Sequence, residues 1–243
     1  MQEQAARAAA ERAVRARDDF FLVASHELKT PLTSMLLAVQ HLLRVARCGQ
    51  GNVADVIVPA LGVVERQGRR LATLVDMLLD VSRLQAARIE LSREEIDLAE
   101  IARTVAADLR CEATAAGSEI ALALPAPVIG TWDRARIAQA VSCLLANALK
   151  YGAGRPVEIT CAAQSGVAVL TVRDFGVGIE PAYLDRIFER FERASSARHY
   201  GGLGLGLFFA RRIVEAHGGT LRVESAPQAG STFTVRLPLS AAA

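Results

Sequence analysis

Ser25-His26-Glu27-Leu28-Lys29-Thr30-Pro31-Leu32 decides how the first third of this chain folds. Onward from it, small or apolar residues recur in steps of three and four: Ser25, Leu28, Leu32, Met35, Val39 and Leu42. That spacing is the heptad seam of a helix. Cys48-Gly49-Gln50-Gly51-Asn52 interrupts it as a turn between helices does. The seam resumes at Ile57, Leu61, Val64, Gly68, Leu71, Val75 and Leu78. Two long helices with matching seams predict an antiparallel hairpin over residues 1–87. A lone hairpin leaves apolar surface uncovered, and two hairpins cover it by forming a four-helix bundle. A homodimer is therefore expected.

The heptad also predicts where the polar residues point. With Ser25 and Leu32 at a positions, His26 falls at b, Glu27 at c and Thr30 at f, all on the solvated side. An exposed imidazole has an ordinary pKa of about 6.5 and is largely neutral at pH 7, so its nitrogen is a competent nucleophile towards phosphorus. Glu27 is placed to hold or accept the other ring proton. Thr30 follows one helical turn later, where it can orient water or a phosphoryl oxygen. Pro31 cannot donate to the carbonyl of Glu27, which weakens the helix beside the histidine. Taken alone, the segment is equally an ordinary surface histidine on a kinked helix.

The rest of the chain has a different pattern. The 243 residues suffice for two small domains. A net charge of +2 gives no field that argues for nucleic acid or an anionic membrane. No apolar run reaches the roughly 18 residues of a membrane span, and Met1-Gln2-Glu3-Gln4 with the Ala and Arg after it does not read as a secretory signal. Cys48, Cys111, Cys143 and Cys161 lack paired spacing and read as small residues in a reducing compartment. Residues 88–97 form a charged connector ending in Glu94-Glu95-Ile96-Asp97, with Asp97 the N-cap of a helix running to about Cys111. A short strand is predicted over Glu119 to Leu124 and a helix over Arg134 to Tyr151. A hairpin joins Val157–Cys161 to Val167–Val172. A helix from Leu203 to His217 stops at Gly218-Gly219. A last hairpin joins Thr220–Glu224 to Ser231–Leu237. This order predicts an α+β two-layer sandwich over residues 98–240.

Within that second part, glycines and polar residues cluster as a nucleotide site would need. Asp174-Phe175-Gly176-Val177-Gly178-Ile179 follows a strand, and a carboxylate there can accept the exocyclic amine of adenine. Its glycines permit close approach of backbone to a ligand. Gly201-Gly202-Leu203-Gly204-Leu205-Gly206 opens a helix, whose first N–H groups suit phosphate. This is neither a P-loop nor a dinucleotide fingerprint, because the spacing fails. Asn147-Ala148-Leu149-Lys150-Tyr151 offers a neutral oxygen for Mg²⁺, a phosphate-seeking cation and an aromatic face. A nucleophile and a phosphate-donor site in one chain suggest a phosphotransferase.

Together these motifs resemble the sensor histidine kinases of two-component systems, over nearly the whole chain. His26-Glu27-x-x-Thr30-Pro31-Leu32 is similar to the H-box, Arg136 to Tyr151 to the N-box, and Asp174-x-Gly176-x-Gly178 to the first glycine box. Phe188-Glu189-Arg190-Phe191 resembles the F-box and Gly202-x-Gly204-x-Gly206 the second glycine box. The resemblance implies a Bergerat-type ATP-binding fold after the helical hairpin. It makes His26 the phosphorylated residue, Glu27 the general base, and Thr30 an aid in dephosphorylating a partner's phosphoaspartate. Asn147 would ligate Mg²⁺, Lys150 would contact phosphate, Tyr151 the base and Asp174 the adenine amine. Gly176 and Gly178 would shape the adenine pocket. Residues 180–202 would be an ATP lid carrying Arg193 to the γ-phosphate.

One position departs from that pattern. Where the N-box usually carries a further asparagine, this chain has Cys143, and a thiol is a poor ligand for a hard cation. Cys143→Asn is expected to maintain or raise ATP affinity. The expected function is an ATP-dependent histidine autokinase that passes phosphate to an aspartate of a response regulator, and acts on that regulator as a phosphatase in turn. The alternative is a nucleotide-binding pseudokinase or scaffold dimer, for which Cys143 is the sequence support. A gyrase-like ATPase leaves the hairpin and the H-box unexplained. A cytoplasmic location without membrane contact by this segment is expected. Residues 1–17 are expected to continue a signalling helix from an upstream region, where any membrane anchor would lie.

Overall fold

The computed structural model describes residues 24–25, 28–47, 53–84, 90–190, 192 and 204–240. The chain divides into two compact units that meet in sequence at Ala87 and Arg88.

The first unit is helical. Helix α1 covers 28–47 and α2 covers Val53–Leu84. Both carry a proline inside, Pro31 and Pro59. Around Pro31, side-chain hydroxyls take up carbonyls one turn back: Thr33 Oγ1 donates to the Lys29 carbonyl at 2.8 Å and Ser34 Oγ to that of Thr30 at 3.1 Å. Such back-bonding keeps the helix continuous while loosening its ladder.

The covered seam coincides with the expected one in part and elsewhere lies one residue away. Within the chain, the buried and half-buried positions of α1 are Leu28, Pro31, Ser34, Met35, Ala38, Leu42 and Val45, a stripe that Ala24 extends backwards. Leu28, Met35 and Leu42 belong to both stripes, but Ser25, Leu32 and Val39 are exposed. On α2 the expected Val64, Gly68 and Leu71 are covered, together with Val56, Ala60, Val63 and Gln67, while Ile57, Leu61 and Val75 are exposed. The physical reason is that each helix carries two adjacent apolar stripes, and only one is buried within a single chain. The second, with Leu32, Leu36, Val39 and Leu43 on α1, stays open.

The second unit is an α+β sandwich, as expected. Strand β1 (Glu94–Asp97) and helices α3 (Leu98–Asp108) and α4 (Arg110–Ala116) lead to β2 (Ile120–Ala123) and β3 (Ile129–Trp132). Helix α5 (Arg134–Tyr151), strands β4 (Val157–Gln164) and β5 (Val167–Asp174), helix α6 (Gly206–Ala216) and strands β6 (Thr220–Ala226) and β7 (Gly230–Pro238) follow. The main sheet has the order β2-β4-β5-β7-β6, with only β2–β4 parallel. The last strand in sequence, β7, thus lies inside the sheet.

Three boundaries differ from expectation. The charged connector contains β1, which pairs antiparallel with β3. The helix capped by Asp97 ends at Asp108, and α4 takes over from Arg110. Helix α6 begins at Gly206 rather than Leu203, which lies outside the described residues. Asp97 itself caps α3 as predicted: its Oδ1 accepts the N–H of Ala99 at 2.9 Å and that of Val128 at 2.8 Å.

One face of the sheet packs on the helices. Ala168, Leu170 and Val172 of β5 point there beside Leu237, Val235 and Phe233 of β7, their register partners. Ile137, Leu144, Leu145 and Ala148 of α5 and Phe209, Ile213 and Val214 of α6 fill the layer above. Burying a side chain of this kind contributes about 1.5–3 kcal/mol before conformational entropy is subtracted. No described helix is long and apolar enough to cross a membrane.

Candidate functional site

The inward row of β5 ends on a carboxylate. Strand pleating puts residues 168, 170, 172 and 174 on one face, and the fourth of these is Asp174, only 3% exposed. Its Oδ1 accepts the N–H of Gly176 at 2.9 Å. Ser231, its register partner on β7, gives it both a backbone N–H and a hydroxyl. Burial raises the carboxyl pKa above its ordinary value, and these three hydrogen bonds act the other way. A carboxylate so placed gains from any further N–H donor that reaches it.

The turn after Asp174 is clamped from both sides. A Cβ on Gly176 would fall 1.8 Å from the carbonyl oxygen of Tyr151. The N–H of Val177 donates to that same carbonyl at 3.2 Å. Gly178 has φ +68, and a Cβ there would lie 1.9 Å from the carbonyl oxygen of Ala226. On that side Gln228 N donates to the Val177 carbonyl at 2.8 Å, and Ile179 N to Ser225 Oγ at 2.9 Å. Arg155 Nη1 donates to the Phe175 carbonyl at 2.6 Å, and the Arg173 guanidinium lies 4.4 Å from the centre of the Phe175 ring.

Helix α5 brings its end to this turn. Asp133 caps its start, Oδ1 accepting from Arg136 N at 3.0 Å and Oδ2 from Ser92 N at 2.9 Å. Its last turn carries Asn147, Lys150 and Tyr151, all half-buried. Lys150 Nζ stands 4.8 Å from the centroid of the Tyr151 ring, a cation against a π face.

Helix α6 starts beside α5. Gly204 has φ +65, and Gly206 is the first residue of the helix. A Cβ on Gly206 would meet only Cys143 Cβ at 3.8 Å and Sγ at 3.9 Å. Cys143 is therefore a packing residue at the α5–α6 crossing. Burial pushes its thiol up to about 12, so it stays protonated at neutral pH. The F-box is anchored nearby: Phe188 packs edge-on against Phe233 with centroids 6.5 Å apart, and Arg190 lies 4.9 Å from the Phe208 ring.

Asn147, Lys150, Tyr151, Asp174, Gly176, Gly178, Gly204 and Gly206 thus belong to three elements that meet. Thr30 is exposed on α1, in the other unit. His26, Glu27, Arg193 and Gly202 lie outside the described residues. No group of three or more His, Cys, Asp or Glu among the described residues is arranged to hold a metal ion. The residues present fit Mg²⁺ in another way: it is commonly held by one or two protein oxygens together with nucleotide phosphates and water, and the Asn147 amide is such an oxygen. The sequence reading missed Ser225 and Ser231. Serines within strands carry no pattern, and only the β5–β7–β6 register places them beside Asp174.

Two family models match the chain. The model for the histidine kinase-, DNA gyrase B- and HSP90-like ATPase matches residues 132–241. The model for the His Kinase A phospho-acceptor domain matches residues 16–87. The sensor histidine kinase RppB of Synechocystis is 36% identical over 227 residues, covering 92% of this chain and 49% of that protein. The sensor protein SrrB of Staphylococcus aureus is 31% identical over 225 residues, covering 91% of this chain and 38% of its own length. The chain thus spans half or less of these curated relatives. Among solved structures, full-length ShkA in complex with AMPPNP gives a TM-score of 0.63 at 29% identity, covering 93% of this chain and 46% of that one. The Acinetobacter baumannii histidine kinase AdeS gives 0.59 at 25% identity, covering 88% and 98%.

Proposed function

Since the chain belongs to the sensor histidine kinases of two-component systems, with a phosphoacceptor domain and an ATPase domain, we propose that it is an ATP-dependent autokinase that phosphorylates His26. The observation that carries the nucleotide half is Asp174, a buried carboxylate beside a glycine turn packed onto Tyr151. In this reading Asp174 accepts the exocyclic amine of adenine, and Gly176 and Gly178 keep the turn thin enough for the base to reach it. Tyr151 lies against the base and Lys150 contacts phosphate. Gly202, Gly204 and Gly206 bring the start of α6 to the phosphates, and Arg193 reaches the γ-phosphate.

The neutral imidazole of His26 attacks the γ-phosphorus. An N–P bond forms, the bond to the β–γ bridging oxygen breaks, and ADP leaves. Glu27 holds the proton of the other ring nitrogen and so fixes the attacking tautomer. Mg²⁺, when bound through Asn147 and the phosphates, neutralises charge that develops on the leaving oxygens. Lys150 and Arg193 add positive charge to the same end. Phosphate then passes from His26 to an aspartate of a response regulator, and Thr30 assists its later hydrolysis there. Such a partner and ATP as donor place the reaction in the cytoplasm.

Residues 1–87 serve as the dimerisation and phosphotransfer hairpin, with 1–17 leading in. Residues 88–97 are the connector and 98–240 the catalytic domain. The open stripe of Leu32, Leu36, Val39 and Leu43 supports a homodimer. The test is incubation with Mg²⁺ and ATP labelled at the γ-phosphate, comparing wild type with His26→Gln. Acid-labile, base-stable label on wild type alone is the expected result. Label on both proteins, or on neither, overturns the assignment.

A further inference from the structure

The helix-facing side of the sheet is apolar except at one end. There the register sets three polar side chains in a row across β5, β7 and β6. Asp174 pairs with Ser231, and Ser231 pairs with Ser225. The next ranks of the same face are Val172, Phe233 and Val223, then Leu170, Val235 and Leu221. A polar rank in this place has a cost, and its hydrogen bonds show what offsets it.

Ser225 is the hub of the row. Its Oγ accepts the N–H of Ile179 at 2.9 Å, which fixes the far end of the glycine turn. The same oxygen lies 2.7 Å from the Gly230 carbonyl and 3.0 Å from Ser231 Oγ. Ser231 in turn is bonded to Asp174 through its hydroxyl and its N–H. Each hydroxyl has one proton to give, and three acceptors compete for the two: the Gly230 carbonyl, the neighbouring hydroxyl and the Asp174 carboxylate. Ser225 donates to the Gly230 carbonyl while the Ser231 hydroxyl bonds Asp174. Ser225 Oγ thus stands 3.0 Å behind the hydroxyl that serves the carboxylate and also holds the far end of the turn.

We propose that Ser225 is a positioning residue for base recognition, holding the Gly176–Ile179 turn and, through Ser231, aiming the carboxylate that accepts the exocyclic amine of adenine. This rests on the reading of Asp174 given above. Ser225 touches no nucleotide in this scheme. It acts on which base is chosen, not on the transfer of phosphate.

The test compares ATP with inosine triphosphate, which carries an oxygen where adenine has its amine. Calorimetric Kd values for both are measured on the full chain as wild type, Ser225→Ala, Ser225→Thr and Asp174→Asn. Ser225→Ala is expected to weaken ATP about tenfold while inosine triphosphate changes by no more than about twofold. Ser225→Thr, which keeps the hydroxyl, restores the preference for ATP. An unchanged ATP preference in Ser225→Ala, or an equal loss for both nucleotides that threonine does not rescue, overturns the proposal. Asp174→Asn separates the two levels. If it abolishes the preference and Ser225→Ala does not, only the role of Ser225 falls. If it leaves the preference intact, or wild type has none, the reading of Asp174 falls and that of Ser225 with it.

Discussion

His217, beyond the end of α6, holds the start of α5: its Nε2 accepts the backbone N–H of Asp133 at 3.0 Å. Its Nδ1 lies 2.8 Å from the Ile213 carbonyl. A carbonyl only accepts, so Nδ1 carries the hydrogen and the ring is neutral. Asp133 in turn takes the N–H of Ser92, and Arg93 donates to the Ala216 carbonyl at 3.3 Å. The segment leading into the catalytic unit is thereby tied to both helices of its layer.

This predicts an acid-sensitive fold. Burial lowers the His217 pKa below its ordinary value; the Arg93 charge acts in the same direction, against the Ile213 carbonyl and the Asp133 carboxylate. A folded-state pKa below the unfolded one gives stability that is full above about pH 6.5 and is lost as pH falls towards the folded value. The melting temperature of the second unit is expected to drop between pH 6.5 and pH 5. His217→Gln lowers it at pH 7.5 and flattens this slope. An equal slope in both proteins assigns the acid sensitivity elsewhere.

Asp174→Asn separates binding from stability. The raised carboxyl pKa means that its stabilising contribution is present at low pH and lost as pH rises through the folded value. At neutral pH the buried charge is a burden that the amide lacks. The nucleotide-free variant is expected to melt at or above the wild-type temperature. Its ATP affinity falls by about tenfold to a hundredfold, the worth of a hydrogen bond to a charged group. Differential scanning calorimetry with and without Mg²⁺-ATP reads both quantities.

Two glycines of the site answer differently to alanine. At Gly176 the added methyl meets backbone at 1.8 Å, and at Gly206 it meets only Cys143 at ordinary contact distance. Gly176→Ala is expected to cost about 3 kcal/mol or more, since main chain on both sides must move. Gly206→Ala stays within about 1 kcal/mol of wild type, because alanine also favours the helix. Any loss of ATP affinity in Gly206→Ala then reports closeness to phosphate rather than a damaged fold. Urea titration gives the stabilities and calorimetry the affinities.

The open stripe on α1 predicts a dimer that one charge weakens. Leu36 is 55% exposed in the single chain. If its side chain is buried on pairing, Leu36→Glu removes about 2–3 kcal/mol and raises the dimer Kd by roughly a hundredfold. Sedimentation across a concentration series measures this. The melting of the second unit should not change.

Cys143→Asn places a polar amide at the buried crossing against Gly206. A stability loss of about 1–3 kcal/mol is expected, while ATP affinity is maintained or rises. A clear loss of ATP binding in a folded variant shows that the crossing shapes the site more directly than packing alone.

The helical hairpin and the α+β sandwich were legible because their periods differ. Heptads run through residues 25–78, and alternation marks 157–172 and 220–237. The face of the hairpin was legible only in part. A helix with two adjacent apolar stripes offers two seams, and which one stays inside the chain depends on the partner helix. Strands β1 and β3 escaped because they pair only with each other and Glu94-Glu95 reads as a solvated connector. Asp174 was found because a carboxylate between a strand and glycines is conspicuous. Ser225 and Ser231 were not, since their role exists only in the register of three strands.

The interior place of β7 has a consequence for how the chain emerges from the ribosome. Until residues 230–238 appear, β5 and β6 have no common neighbour, and Ser231 is not yet beside Asp174. The segment around residue 26 is made first, more than 200 residues ahead of the last strand. A nascent or prematurely terminated chain therefore carries the first unit without the register that sets Ser231 beside Asp174 and Ser225.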